Sequence, residues 1–487
     1  MTRRKEHLHI HKIKHTYNRK TNTFTFNISY QTTPTKQTPR TTAIAEAFGL
    51  GIDQTQRFTL YDNTQIHIKP TDIVLITGDS GSGKSALLKA IQKDLGKQAT
   101  NTKNLTIPKN QPIIETLGKN TTQALNTLSK VGLNDAFLFL RNYNELSDGQ
   151  KHRYHIALLA ESAAQWWILD EFTNTLDRDT AKTVAYNLQR LARQNKKAVI
   201  AATTQTDLLN DLAPNVHIHK HYGKQVTITY HPNAKTTQCS LTRETHITTG
   251  TTADYKTLSQ FHYRSGKCPP PRRIFTLKRY NETAGAIVYS YPPPTCFGRS
   301  KVWKGTLKQL QQQISIISRV VVHPKFRGIG LGEKLVQQTL PQCGTPYVEA
   351  VAVMAKINPF FEKAGMQRIT QSQPSVAVAA TLSELERLGF EPALLGCVGY
   401  VENLLQRVGC REVVGLLLEL SRKDAAVRKR LLSLPCIYPR HEEFAQKLAQ
   451  LDSAGLAEAL KRLSFMAQSK VYLFWKKPDD SGSIGGS

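Results

Sequence analysis

The spacing of apolar and polar positions changes character several times along the chain. "TFTFNISY" (Thr23–Tyr30) alternates every second residue, the period of a strand with one buried face. From 41 to 232, short apolar runs alternate with helical spacing. "IVLITG" (Ile73–Gly78) reads as a buried strand, "KSALLKAI" (Lys84–Ile91) as a helix, and "WWILDEF" (Trp166–Phe172) as a strand ending in two acids. From 240 to 374 the strands "ISIISRVVV" (Ile314–Val322) and "PYVEAVAVM" (Pro346–Met354) mix with helical patterns. Beyond 375, Leu, Ala and Glu recur at helical spacing to residue 466, and "TLSE" (Thr381–Glu384) reads as a capping box opening that block. "KVYLFWKK" (Lys470–Lys477) reads as one more strand.

The pattern predicts six segments: basic strands over 1–40, an α/β domain over 41–232, a mixed domain over 240–374, helices over 375–466, a closing strand over 467–478, and a linker-like tail over 479–487. A chain of 487 residues exceeds what one core usually organises. No run of about 18 apolar residues suggests a membrane span, and the N-terminus lacks the apolar stretch of a signal peptide. Seven scattered cysteines without a C-x-x-C pair suggest reduced thiols and a cytoplasmic protein. The net charge of +28 points to a polyanionic partner, nucleic acid, rather than to a merely solvated basic surface.

Gly78-x-x-x-x-Gly83-Lys84-Ser85 lies between the predicted strand and helix, the setting in which this motif binds a nucleoside triphosphate. Backbone amides over Gly78, Ser80, Gly81 and Gly83 would turn inward around phosphates, Lys84 would reach the outer phosphates, and Ser85 would hold Mg²⁺. Downstream, Asp170 suits the same Mg²⁺ and Glu171 suits the base for an attacking water.

"LSDGQKHRYHIALLA" (Leu146–Ala160) then resembles the signature motif of the ABC-class ATPases, and "NTLD" (Asn174–Asp177) resembles their D-loop. The resemblance implies ATP as ligand and a head-to-tail ATP sandwich, hence a homodimer for a chain with one cassette. Ser147 and Gly149, with Gln150 and Asp177 beside them, would face the nucleotide of a second subunit. Phe58 or Tyr61 would stack on adenine, and Gln111 is a weak match to the Q-loop. Thr204 stands where the family carries its switch histidine, which implies slow hydrolysis or an ATP-dependent clamp.

A second glycine-rich turn, Arg327-Gly328-Ile-Gly330-Leu-Gly332, follows the strand ending at Val322 and opens a helix, again an anion cradle. With "PYVEAVAVM" and "NPFFEKAGM" (Asn358–Met366) downstream, this stretch resembles the GNAT acyltransferases. The resemblance implies acetyl-CoA or another acyl-CoA. Val320 and Val322 would lie along the pantetheine, Arg327, Gly328, Gly330 and Gly332 would hold the pyrophosphate, and Asn358 would sit near the pantetheine arm. Phe361 occupies the position where many members carry a tyrosine acid. The final strand resembles the family's closing strand, which makes 375–466 an insertion.

Over residues 251–310, eleven Lys/Arg and two acids are interleaved with aromatics, a combination suited to phosphates and extruded bases. "FHYR" (Phe261–Arg264) with "GAIVYS" (Gly285–Ser290) loosely resembles the Mom-type phage DNA-modification enzymes, which implies that His262 and Tyr263 line the acceptor site. Glu349 is a candidate base for deprotonating an amine. The histidine sets His7/His9/His11 and His217/His219/His221 read as exposed strand faces in preference to metal sites. As a whole the chain resembles a predicted family of ABC ATPases fused to acetyltransferases. The expected activity is ATP-assisted, acyl-CoA-dependent acylation of a nucleobase in DNA or RNA. The alternatives are an acyltransferase acting on protein or aminoacyl-tRNA, and an ATP switch with a degenerate GNAT module.

Overall fold

The computed structural model of the protein describes residues 8–32, 37–51, 57–262, 268–434 and 439–478. Its contacts divide the chain into two units, 1–288 with 319–339 and 289–318 with 340–487.

In the first unit, β1 (Leu8–Asn18), β2 (Thr23–Thr32) and β3 (Arg57–His67) form an antiparallel sheet. The two-residue period turns Phe24, Phe26 and Ile28 to one face, where they are buried against the helix Lys84–Leu95. His15 of β1 pairs with Asp94 of that helix. A six-stranded sheet comprises β4 (Ile73–Thr77), β5 (Ala99–Asn101), β6 (Trp166–Leu169), β7 (Ala198–Ala202), β8 (Val216–Lys220) and β9 (Val226–Tyr230). The order is β5-β6-β7-β4-β8-β9, parallel except for β9. Central β4 is buried at every position, as a parallel strand covered on both faces requires. The segments leaving the carboxyl ends of β4, β5 and β6 converge, the usual site of ligands in such sheets.

The remaining strands are β10 (Thr245–Thr249), which pairs antiparallel with β11 (Pro271–Arg279) in the first unit, then β12 (Glu282–Ser290), β13 (Ile314–Val322), β14 (Tyr347–Ala352), β15 (Gln367–Gln371) and β16 (Val471–Lys476). Within the second unit, β13 runs parallel to β14, and β16 inserts antiparallel between β14 and β15.

Between β15 and β16 lies a helical insertion with a core of its own, centred on Leu385, Phe390, Leu405, Leu417, Phe444 and Leu460. It opens at Ser375, whose hydroxyl caps the helix Val376–Arg387. Thr381 is therefore an interior residue and not a cap; its hydroxyl bonds back to the Ala377 carbonyl. Among the described residues, no helix is long and apolar enough to cross a membrane.

Candidate active sites

The first glycine loop leaves β4 at Thr77. Gly78 has φ +143°, and a Cβ there would lie 2.2 Å from the Lys220 carbonyl oxygen, so only glycine fits. Gly83, also left-handed, starts the helix Lys84–Leu95 without a side-chain cap. Its N-terminal amides remain for a ligand. Lys84 Nζ folds back onto the carbonyls of Gly78 (2.7 Å) and Asp79 (2.6 Å). Burial lowers the Lys84 pKa, against the opposing pull of Asp79 and Asp170. Ser82 Oγ is buried and has no hydrogen-bond partner among the described residues. Such an orphaned hydroxyl beside exposed Ser80 and Gly81 fits a phosphate cradle.

Ser85 Oγ donates to Asp170 Oδ1 at 3.0 Å, so both residues expected to hold Mg²⁺ are adjacent. Glu171, next in line, is exposed and left-handed at φ +53°, the kind of strain that recurs at functional sites. Tyr61 is buried and donates to the Gly83 carbonyl, which removes it as an adenine platform; Phe58 remains 47% exposed. Gln111 lies ahead of the turn Ile113–Thr116, and Lys103 joins Ser85 in reaching Asp170, at 3.2 Å.

Ser147 caps the helix Asp148–Glu161 in a reciprocal box with Gln150. Gly149 permits close approach of Thr180 on the neighbouring helix Arg178–Gln194. Asp177 caps that second helix. Burial would raise its pKa, but bonds from the Thr180 hydroxyl and amide, with the Lys325 charge, hold it lower. Thr204 N–H and Oγ–H, and the Thr203 hydroxyl, all point to Asn174 Oδ1.

The second glycine loop follows β13, on which Val320 and Val322 are half-buried while Val321 faces inward. Arg327 is only 8% exposed. Its guanidinium donates to Val322 O (3.0 Å), Asp135 Oδ2 (3.0 Å) and Phe261 O (3.1 Å). The side chain is thus committed to bracing the loop, which leaves backbone amides as the groups this turn could offer an anion. Among the described residues, no protein acceptor is bonded by the N–H groups of 328–332, and Gly332 sits in the first turn of the helix Leu331–Thr339. Those amides fit a pyrophosphate.

This loop is gripped by the signature-like helix. Arg153, 4% exposed, donates to Pro324 O at 3.0 Å and Lys325 O at 3.1 Å. Lys325 Nζ lies 2.7 Å from Asp179 and 3.8 Å from Asp177. Gly328 packs against Asn187, also on the helix Arg178–Gln194.

In the second unit, Glu349 of β14 is fully buried. Arg299 donates to both its oxygens (2.6 and 3.0 Å), and the Tyr472 hydroxyl adds a bond at 2.9 Å. Burial and that carboxylate raise the Tyr472 pKa. So paired, Glu349 is built as a structural anchor between β14 and β16. Phe361 is buried, and Asn358 is half-buried just ahead of the short helix Phe360–Lys363.

The family model described as "P-loop containing region of AAA domain" matches residues 57–104, and that of the acetyltransferase (GNAT) family matches residues 239–366. The phosphonates import ATP-binding protein PhnC of Cupriavidus pinatubonensis is 26% identical over 215 residues, which cover 34% of this chain and 75% of the relative. The cytochrome c biogenesis ATP-binding export protein CcmA of Vibrio parahaemolyticus is 28% identical over 185 residues, covering 31% and 87%. A solved dimeric bacterial ABC transporter cassette, MJ0796, matches at 17% identity and a TM-score of 0.29, covering 35% of this chain and 91% of that one. This chain joins an ABC-class ATPase domain to a GNAT acyltransferase domain.

ATP with Mg²⁺ serves the ABC domain, and acetyl-CoA or another acyl-CoA serves the GNAT domain. Of the expected acceptor residues, His262 is half-buried just after the helix Thr252–Ser259, and Tyr263 lies outside the described residues. His217 and His219 share the Thr77 hydroxyl at 2.8 and 2.9 Å, whereas His7 lies outside the described residues. Among the described residues, no group of three or more His, Cys, Asp or Glu is arranged for a metal. Nothing in the sequence pointed to Arg153, Asp135, Lys325 and Asp179, which tie the second glycine loop and the turn before it to the segment at Asp135 and to the helices Asp148–Glu161 and Arg178–Gln194.

Proposed function

We propose that the protein is an ATP-assisted, acyl-CoA-dependent N-acyltransferase that modifies a nucleobase in DNA or RNA. One observation carries the ATP-assisted part: the Arg153 bonds from the ABC signature helix to the Pro324 and Lys325 carbonyls of the acyl-CoA loop. A helix that faces nucleotide in one domain thereby holds the donor-binding turn of the other. Ser147, Gly149, Gln150 and Asp177 then complete the nucleotide site of a second copy, and the working form is a homodimer.

The nucleic-acid acceptor is supported by the net charge of +28 and by the basic, aromatic-rich stretch 251–310, where His262 and Tyr263 would meet the acceptor. Backbone amides near Gly328, Gly330 and Gly332 would hold the pyrophosphate, with Val320, Val322 and Asn358 along the pantetheine. The six described cysteines are free thiols, in keeping with a cytoplasmic site of action. Mass spectrometry of digested nucleosides tests the reading. An acylated base should appear in cells with the protein and vanish in Lys84→Ala and Gly330→Val variants; a product confined to tryptic peptides refutes it.

A second reading, an ATP switch with a non-turning GNAT module, is favoured by Phe361, a buried hydrocarbon ring where a tyrosine acid would be expected. Calorimetric titration with acetyl-CoA separates the two, because the switch need not bind it.

A further inference from the structure

β5 runs parallel beside β6, with Asn101 opposite Ile168. The chain therefore leaves the two strands side by side, and two residues beyond each of these positions stand Lys103 and Asp170. The Lys103 backbone is fixed, because Asn101 Oδ1 accepts its N–H at 2.9 Å at the start of the single turn Thr102–Asn104. Its side chain reaches Asp170 Oδ2 at 3.2 Å while Ser85 holds Oδ1 at 3.0 Å. The carboxylate suited to Mg²⁺ thus sits between a hydroxyl and an ammonium. The Lys103 side chain is 63% exposed, so the pair is a weak, exchangeable contact and not a structural clamp.

A dication and an ammonium cannot share one carboxylate comfortably, since like charges a few ångströms apart repel. The backbone of Lys103 is anchored while its exposed side chain can exchange partners, and the charge nearest an Mg²⁺ ion bound there is the triphosphate. We propose that Lys103 is a further nucleotide-binding residue, which neutralises Asp170 when no nucleotide is bound and turns onto the outermost phosphate when ATP binds. Lys103 thereby discriminates ATP from ADP, and it supplies part of the counter-charge that Mg²⁺ otherwise provides. This inference concerns the ATP site alone and stands or falls separately from the acyl acceptor.

The test is equilibrium binding of ATP and of ADP to the full chain, by calorimetry, with saturating Mg²⁺ and with EDTA. Lys103→Met should weaken ATP about tenfold, the scale of one charge-assisted hydrogen bond, and leave ADP within about twofold. In EDTA the wild type should retain measurable ATP binding that Lys103→Met loses, and Lys103→Arg should restore both. Unchanged ADP binding certifies an intact site. Equal weakening of ATP and ADP, or no change in either, overturns the proposal.

Discussion

The guanidinium of Arg153 lies 3.0 Å from the carbonyl oxygen of Pro324, joining positions 171 residues apart. Burial, with the neighbouring Arg327 charge adding to it, lowers the Arg153 pKa to about 10. Asp177 pulls the other way, and the charge is solvated by the carbonyls of Gly132, Pro324 and Lys325. Displacing the helix Asp148–Glu161 without the turn Pro324–Phe326 would strand that charge, a cost of several kcal/mol. The two segments therefore move together.

Arg153→Lys keeps the charge but loses the planar fork that serves two carbonyls. We expect acetyl-CoA affinity in this variant to stop responding to ATP, while ATP affinity itself stays within about threefold of wild type. Parallel titrations of the two ligands check this.

Gly328 and Gly330 both lie near φ +90°, so alanine at either carries left-handed strain of about 1 kcal/mol. Only at Gly328 would the new Cβ meet a side chain, 2.7 Å from Asn187 Nδ2. Gly328→Ala should therefore cost about 2–3 kcal/mol in urea denaturation, and Gly330→Ala about 1.

Glu349→Gln should lower thermal stability sharply, by about 3–5 kcal/mol, because it leaves Arg299 buried without a counter-charge. The double change Arg299→Met with Glu349→Leu should recover most of that loss. A catalytic base would behave differently: turnover would fall while the melting temperature held.

How much of this could be read beforehand follows from how local each feature is. Both glycine loops were legible, because a strand, a glycine turn and a helix lie within about fifteen residues and each part has its own chemistry. Which aromatic of β3 stays exposed was not. β3 pairs with β2 through two irregularities, so simple alternation over "RFTLYDN" does not say that Tyr61 turns inward and Phe58 outward. Lys103 sits in the polar run "ATNTKN" without a motif and gains its meaning only from the pairing of β5 with β6. Asp135 and Arg327 are 192 residues apart, beyond any local pattern.

Stability should fall as the solution is acidified. Burial holds the His155 pKa at about 4, helped by the charges of His152 and Lys151, against 6.5 for a free imidazole. The unfolded chain thus binds more protons between these values. Stability is full above about pH 6.5 and drains as the pH falls toward 4, by about 2 kcal/mol between pH 7 and 5. His152, likewise held low by burial, acts in the same direction. Urea midpoints across this range should flatten in His155→Gln, which keeps a partner for the Tyr143 hydroxyl.

The most direct test of the coupling is to measure acetyl-CoA affinity of the full chain by calorimetry, with and without a saturating non-hydrolysable ATP analogue. The account predicts at least a fivefold change, matched by the same factor in nucleotide affinity when acetyl-CoA is saturating, as linkage requires. Identical acetyl-CoA affinities in the two conditions would contradict it.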